Sequence, residues 1–249
     1  MHSRIVSLAP SSTEILFALG AGKSVIARSD KCDYPEDAAK LPAVGRFGKK
    51  KDLAFLGTMK PDCIVTAHAS PALASSCKQR DIALVVLAPQ SLQDIYDSIW
   101  SIARLAGKEH KADDLVFEIE TKLEKIASHA PAQRRRVYCE EWHSPPTVAA
   151  AWVPQLVEHA GGTPLAAANN ESYEVSFKEV SDFDPDHVVL HWRNCGAASR
   201  PDEVKRRRGW SSLRAIAENR VHVIDEALLN RPGPRIWRGA EELQKILKA

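Results

Sequence analysis

Leu53-Ala54-Phe55-Leu56-Gly57-Thr58-Met59-Lys60-Pro61-Asp62-Cys63-Ile64-Val65 returns in pattern 124 residues later as Phe177-Lys178-Glu179-Val180-Ser181-Asp182-Phe183-Asp184-Pro185-Asp186-His187-Val188-Val189. Each copy places apolar residues at helical spacing (Leu53, Leu56, Met59; Phe177, Val180, Phe183), meets Pro-Asp, and enters an apolar run. Proline has no N–H to donate and disfavours helix in the residue before it, so a short helix must end there. Ile64-Val65 and Val188-Val189 then read as buried strands. The period is too long for a solenoid. It predicts two similar α/β lobes joined by something between them.

Working outward, the chain has 249 residues, enough for one large domain or two lobes with their own cores. Hydrophobic residues make up 44% and charged residues 27%, values ordinary for a globular protein, and the net charge of +2 argues for neither nucleic acid nor membrane as a partner. Basic runs at Lys49-Lys50-Lys51, Arg134-Arg135-Arg136 and Lys205-Arg206-Arg207-Arg208 lack interleaved aromatics and sit near carboxylates. They read as solvated surface, Arg207 included.

The five cysteines (Cys32, Cys63, Cys77, Cys139, Cys195) are odd in number and form no CxxC pair, so one thiol stays unpaired within a monomer. Cys63 and Cys139 fall in strand-like runs, where a cysteine acts as a small buried hydrophobe. Met1-His2-Ser3-Arg4 leads straight into the strand-like Ile5-Val6-Ser7-Leu8 with no apolar leader segment. No window is long enough to insert in a bilayer. A cytoplasmic protein is expected, or a periplasmic or extracellular one if a leader has been removed.

Strands at Ile5–Leu8, Val25–Arg28, Ile82–Leu87, Val137–Trp142, Val188–His191 and Val221–Ile224 alternate with helices. These include one opened by capping-type Ser11-Ser12-Thr13-Glu14 and closed at Gly20, one over Val153–His159 and one over Pro234–Leu247. Such alternation implies parallel sheets with crossover helices. From His110 to His129 there is neither Gly nor Pro, and an apolar stripe runs through Leu115, Phe117 or Ile119, Leu123 and Ile126. The expected fold is α/β: two Rossmann-like lobes with mostly parallel sheets, over 1–107 and 132–249, joined by a single long α-helix over 108–131.

Arg4-Ile5-Val6-Ser7-Leu8-Ala9-Pro10-Ser11-Ser12-Thr13-Glu14-Ile15-Leu16-Phe17-Ala18-Leu19-Gly20, then Asp33-Tyr34-Pro35, Lys60-Pro61-Asp62, Trp152 to Gly162 and Arg231-Pro232-Gly233-Pro234-Arg235 occur in this order. Together they resemble the solute-binding proteins of cobalamin and iron–siderophore ABC importers across essentially the whole chain. Cys32-Asp33-Tyr34-Pro35, Glu141-Trp142 and Asn194-Cys195-Gly196 resemble a branch described as cobalamin-binding. The resemblance implies two α/β lobes bridged by one helix, with a small molecule held in the cleft between them. It also implies an exposed glutamate on the short helix of each lobe, pairing with arginines of a membrane permease. The repeat register puts Ala54 and Lys178 at those positions, and neither can accept an arginine. Docking to a conventional permease is therefore not expected.

Ligands of open parallel sheets sit outside the carboxyl ends of the strands. Those ends bring Ser11, Ser12, Cys32, Tyr34, Arg46, Phe47 and His68 in the first lobe. In the second they bring Glu141, Trp142, His143, Trp152, Trp192, Arg193, Asn194, Cys195, Asn230 and Arg231. Tyr34, Trp142, Trp152 and Trp192 offer flat faces to a large conjugated or macrocyclic ligand. Arg46 and Arg231 offer forks to carboxylate, amide or phosphate groups. The expected binder of a corrinoid-like compound or other metal chelate has no cofactor of its own and no catalytic residue. No nucleophile elbow, P-loop or GxGxxG is present, and Ser11-Ser12 reads as a helix cap. Two alternatives stand beside it: an extracytoplasmic importer component, and a metal-binding protein or enzyme using Cys32, Glu141 and Cys195, with His143 as a further donor if a metal is held.

Overall fold

Both copies of the repeat end their helices in the same way, down to the backbone angles at their stops. Lys60 (φ 46°, ψ 59°) and Asp184 (φ 46°, ψ 69°) each take the left-handed conformation immediately before the proline and end their helices. The residue after the proline in each copy is an aspartate that ties down the first strand of its sheet. Asp62 accepts from the backbone N–H groups of Ser3 (2.9 Å) and Arg4 (3.2 Å), and Asp186 accepts from that of Arg136 (2.7 Å). Burial works against both carboxylates, yet these hydrogen bonds and nearby positive charge hold them below the usual carboxylate range.

The computed structural model of the protein describes residues 2–44 and 53–249. In chain order the elements begin β1 (Ile5–Ser7), α1 (Pro10–Ala18), β2 (Val25–Arg28), α2 (Glu36–Ala39), α3 (Phe55–Met59), β3 (Cys63–Thr66), α4 (Pro71–Gln79), β4 (Ala83–Val86), α5 (Leu92–Ala106) and α6 (Ala112–Ser128). They continue β5 (Arg135–His143), β6 (Pro146–Val148), α7 (Val153–His159), β7 (Gly162–Pro164), β8 (Tyr173–Glu174), α8 (Phe177–Phe183) and β9 (His187–Leu190). The last are α9 (Pro201–Lys205), α10 (Arg214–Ala217), β10 (Val221–Val223), α11 (Glu226–Leu229) and α12 (Ile236–Lys248).

The chain divides into two compact units, Met1–Ala88 with Gln93–Phe117, and Pro89–Leu92 with Glu118–Ala249. The first contains a wholly parallel sheet in the order β2-β1-β3-β4. Its core gathers Val6, Leu56, Ile64 and Leu73. The second contains a sheet in the order β10-β9-β5-β6-β8, with β7 also paired to β5. There β9, β10 and β7 run parallel to their partners, whereas β6 and β8 are antiparallel. The α/β class with mostly parallel sheets is thus present. The β6–β8 extension was not expected, because its strands of 3 and 2 residues are too short to show a period.

The long helix α6 has 17 residues and is preceded by a 3₁₀ turn over Glu109–Lys111. Ile119, Leu123 and Ile126 are buried while Phe117 is 70% exposed, which settles the stripe in favour of Ile119. The chain leaves this helix beside Gly161, whose φ of +91° and whose approach to Pro131 (2.6 Å from a would-be Cβ) admit only glycine. All five cysteines are free, and burial pushes the thiols of Cys63 and Cys139 up to about 12. No helix among the described residues is long and apolar enough to cross a membrane.

Candidate functional site

Ser11 and Ser12 lie inside the first turn of α1, whose N-cap is Ala9, so they are not the caps that the sequence suggested. Pro10 displaces them: its fixed φ and missing N–H suit the first helical position. Cys32 is fully buried, its sulfur 3.2 Å from Ser29 Oγ and within reach of the Ser7 carbonyl at 3.8 Å. Tyr34 is exposed (42%) and precedes a cis proline, Pro35. Arg46 and Phe47 lie outside the described residues.

The second unit assembles a continuous constellation around the carboxyl end of β5. The register of β5 against β6 slips between Glu140 and Trp142, which inserts Glu141 as an extra residue. Such a bulge re-aims the side chains that follow it. Beyond it the Trp142 and His143 rings meet at 5.2 Å, and His143 meets Trp192 at 5.0 Å, with interplanar angles of 46° and 37°. Trp142 is the outermost ring at 38% exposed, His143 is half-buried, and Trp192 is buried at 3%. Trp142 Nε1 donates to the Ser144 carbonyl at 2.8 Å, which satisfies the one polar atom of the ring. The His143 Nδ1 is buried without a hydrogen-bond partner among the described residues.

Behind the rings lies a buried carboxylate. Glu140 accepts from the Tyr138 hydroxyl (2.7 Å), Trp192 Nε1 (2.8 Å) and both terminal nitrogens of Arg207 (2.5 and 2.8 Å). Arg207 also donates to the His143 carbonyl at 2.9 Å and lies over the Trp210 ring at 4.6 Å. This corrects the reading of its basic run: Arg207 is a buried partner, and Trp192 is a backing residue rather than an open cleft face. A carboxylate in an otherwise apolar strand requires a cation, and the run Val137-Tyr138-Cys139-Glu140 carried that signal. Burial and the Glu140 charge raise the Tyr138 phenol well above its usual range. Burial opposes the Arg207 charge, but Glu140 outweighs it and raises that pKa.

The remaining expected residues spread around this cluster. Glu141 is nearly buried and accepts from Arg193 at 2.6 Å. Trp152 Nε1 donates to the Leu229 carbonyl at 2.8 Å, which ties the start of α7 to the end of α11. Ala151, just before it, is held at φ 53°. Cys195 is half-buried against the core, and Arg231 is half-buried. His191, just after β9, is fully buried: its Nδ1 lies 2.6 Å from Asn230 Oδ1, and Asn230 donates back to the His191 carbonyl at 2.8 Å. Burial, first, and the Arg193 charge lower its pKa to about 4, although Asn230 opposes them. Among the described residues no group of three or more His, Cys, Asp or Glu is placed to hold a metal ion. Of the donors proposed for one, Glu141 is engaged by Arg193 and Cys32 by Ser29.

The family model described as periplasmic binding protein matches residues 5–228. An uncharacterized ABC transporter substrate-binding lipoprotein of Bacillus subtilis (strain 168) is 30% identical over 98% of this chain and 79% of its own length. A vitamin B12-binding protein of Vibrio cholerae is 25% identical over 98% of this chain and 89% of its own. Among solved structures, a possible iron-binding (periplasmic solute-binding) protein from Staphylococcus epidermidis superposes with a TM-score of 0.84 at 27% identity, covering 100% of this chain and 99% of that one.

Proposed function

The chain belongs to the periplasmic binding protein family, and from that premise we propose that it is the substrate-binding component of an ABC importer, taking a corrinoid-like or other metal-chelate ligand. The observation that carries this reading is the Trp142–His143–Trp192 ring stack. It is open at Trp142 and backed by a fully hydrogen-bonded Glu140. A preorganised aromatic surface is what a large ring system needs, because little conformational freedom is lost when it binds. The substrate-binding lipoprotein and the vitamin B12-binding protein among the relatives support the class of ligand and an extracytoplasmic location, in preference to the cytoplasm.

A binding role also accounts for the chemistry better than catalysis does. Ser11 and Ser12 belong to a helix turn, and the Glu140 carboxylate is consumed by its four donors. As to the importer's membrane component, Lys178 is 83% exposed and paired with Asp182 of its own helix at 2.5 Å, and Ala54 is exposed. Acidic docking contacts at these two positions are therefore not part of the reading. Native mass spectrometry of the purified protein, followed by tryptophan-fluorescence titration with cyanocobalamin, haem and a ferric siderophore, tests the proposal. Saturable quenching by one of them is expected; flat titrations with all three would refute it.

A further inference from the structure

We propose that His187, His222, Arg135 and Arg220, gathered where the strands of the second unit's sheet begin, form a site for a phosphate group. The site is independent of the ring stack. His187 opens β9 and Trp192 follows its far end, so about 16 Å separates the two places.

Strand alternation puts the four side chains on one face. Tyr138 of β5, Val188 and Leu190 of β9, and Val221 and Val223 of β10 belong to the core on the other face. Arg135, His187, Arg220 and His222 fall opposite them. Across the strands, Val137 pairs with His187, and the Val188 N–H donates to the Arg220 carbonyl at 3.0 Å, which sets Arg220 beside His187. His187 Nδ1 lies 3.1 Å from His222 Nε2. Burial, then the charges of His222, Arg220 and Arg135, lower the His187 pKa to about 4, so both guanidiniums lie within electrostatic reach of this ring.

What this face lacks is an acceptor. In the run Arg134-Arg135-Arg136, Arg134 donates to the Gly162 carbonyl at 3.2 Å and Arg136 to Asp184 at 2.6 Å. The half-buried Arg135 side chain has no hydrogen bond or ion pair among the described residues. Arg220 pairs with Glu218, yet its Nε is buried without a partner among them. The neutral histidine pair carries two N–H groups and its mutual bond uses one, which leaves one to donate outward. Asp186, the carboxylate that bears on His187, is already held by the Arg136 N–H and by Arg214, each at 2.7 Å. Guanidiniums drawn partly out of water need acceptors. Donors arriving from three strands suit the oxygens of a tetrahedral phosphate better than the two of a carboxylate.

Calorimetric titration with inorganic phosphate, at constant ionic strength with chloride as the balancing anion, tests this. Saturable binding is expected, and Arg135→Gln and Arg220→Gln should each weaken it about tenfold. Arg206→Gln, exposed just after α9, should leave it intact. Phosphate should raise the melting temperature of the parent and not that of Arg135→Gln, whereas without phosphate the two should melt alike, because Arg135 has no partner to lose. Sedimentation with phosphatidylcholine vesicles containing phosphatidic acid separates the sources of the group. Vesicle binding that Arg135→Gln abolishes assigns the site to a lipid headgroup, and phosphate binding without vesicle binding assigns it to free phosphate. Saturation by neither probe, or binding that survives Arg135→Gln, overturns the inference.

Discussion

Arg207 and Glu140, separated by 67 positions, form a two-pronged ion pair in which the carboxylate is wholly buried and the guanidinium nearly so. Through Trp192 Nε1 and the His143 carbonyl the same pair holds two rings of the stack, so stability and the candidate site share one device.

Breaking a buried pair from one side leaves an uncompensated charge. Arg207→Ala should lower unfolding free energy by about 3–5 kcal/mol, and the double variant Arg207→Met with Glu140→Met should cost less than Arg207→Ala alone. Urea denaturation of the three proteins decides it. A loss under about 1 kcal/mol for Arg207→Ala would mean that solvent reaches Glu140.

The histidines tie stability to pH. His191 and His187 are each lowered from 6.5 to about 4, chiefly by burial, and burial with the Arg220 charge lowers His222, whose ring lies 3.1 Å from that of His187. A histidine with a depressed folded pKa contributes its full stability above the unfolded value, and that contribution is lost as pH falls toward the folded one. Stability should therefore decline between about pH 6.5 and pH 4, with His191 alone accounting for on the order of 3 kcal/mol. His191→Gln should flatten part of this decline in melting curves taken at several pH values. An unchanged slope would assign the loss to other groups.

Trp142 and Trp192 should separate binding from folding. Trp142→Ala removes an exposed stacking face, so affinity should fall about tenfold with little change in melting temperature. Trp192→Phe keeps a buried ring but strips one donor from Glu140, and should cost about 1–3 kcal/mol of stability. Equal effects of the two substitutions on both readouts would contradict this division.

The exposed Lys178 and Ala54 make the last prediction. Added to a reconstituted cobalamin-type transporter, the protein should not stimulate ATPase activity. The double substitution Ala54→Glu with Lys178→Glu should leave the unfolding free energy within about 0.5 kcal/mol of the parent, because both sites are on the surface. Clear stimulation by the parent protein would show that docking uses other residues.

The Pro-Asp repeat, the alternation of strands with helices and the α6 stripe were legible because each is a local signal. A proline acts on its own neighbours, and a period can be counted along a few residues. The repeat even foretold where Lys60 and Asp184 would stop their helices, although not that both would do so in the left-handed region. By contrast, nothing local distinguishes Arg207 from the exposed Arg206 and Arg208, or the open Trp142 from the buried Trp192. Those fates depend on which strand lies beside β5 and on the bulge at Glu141, which decide whether a charged or aromatic side chain meets water or a partner. Sequence alone therefore determined the α/β plan. Tertiary pairing chose the residues that form the site, because the cost of burying a charge is set by its neighbours in space and not by those along the chain.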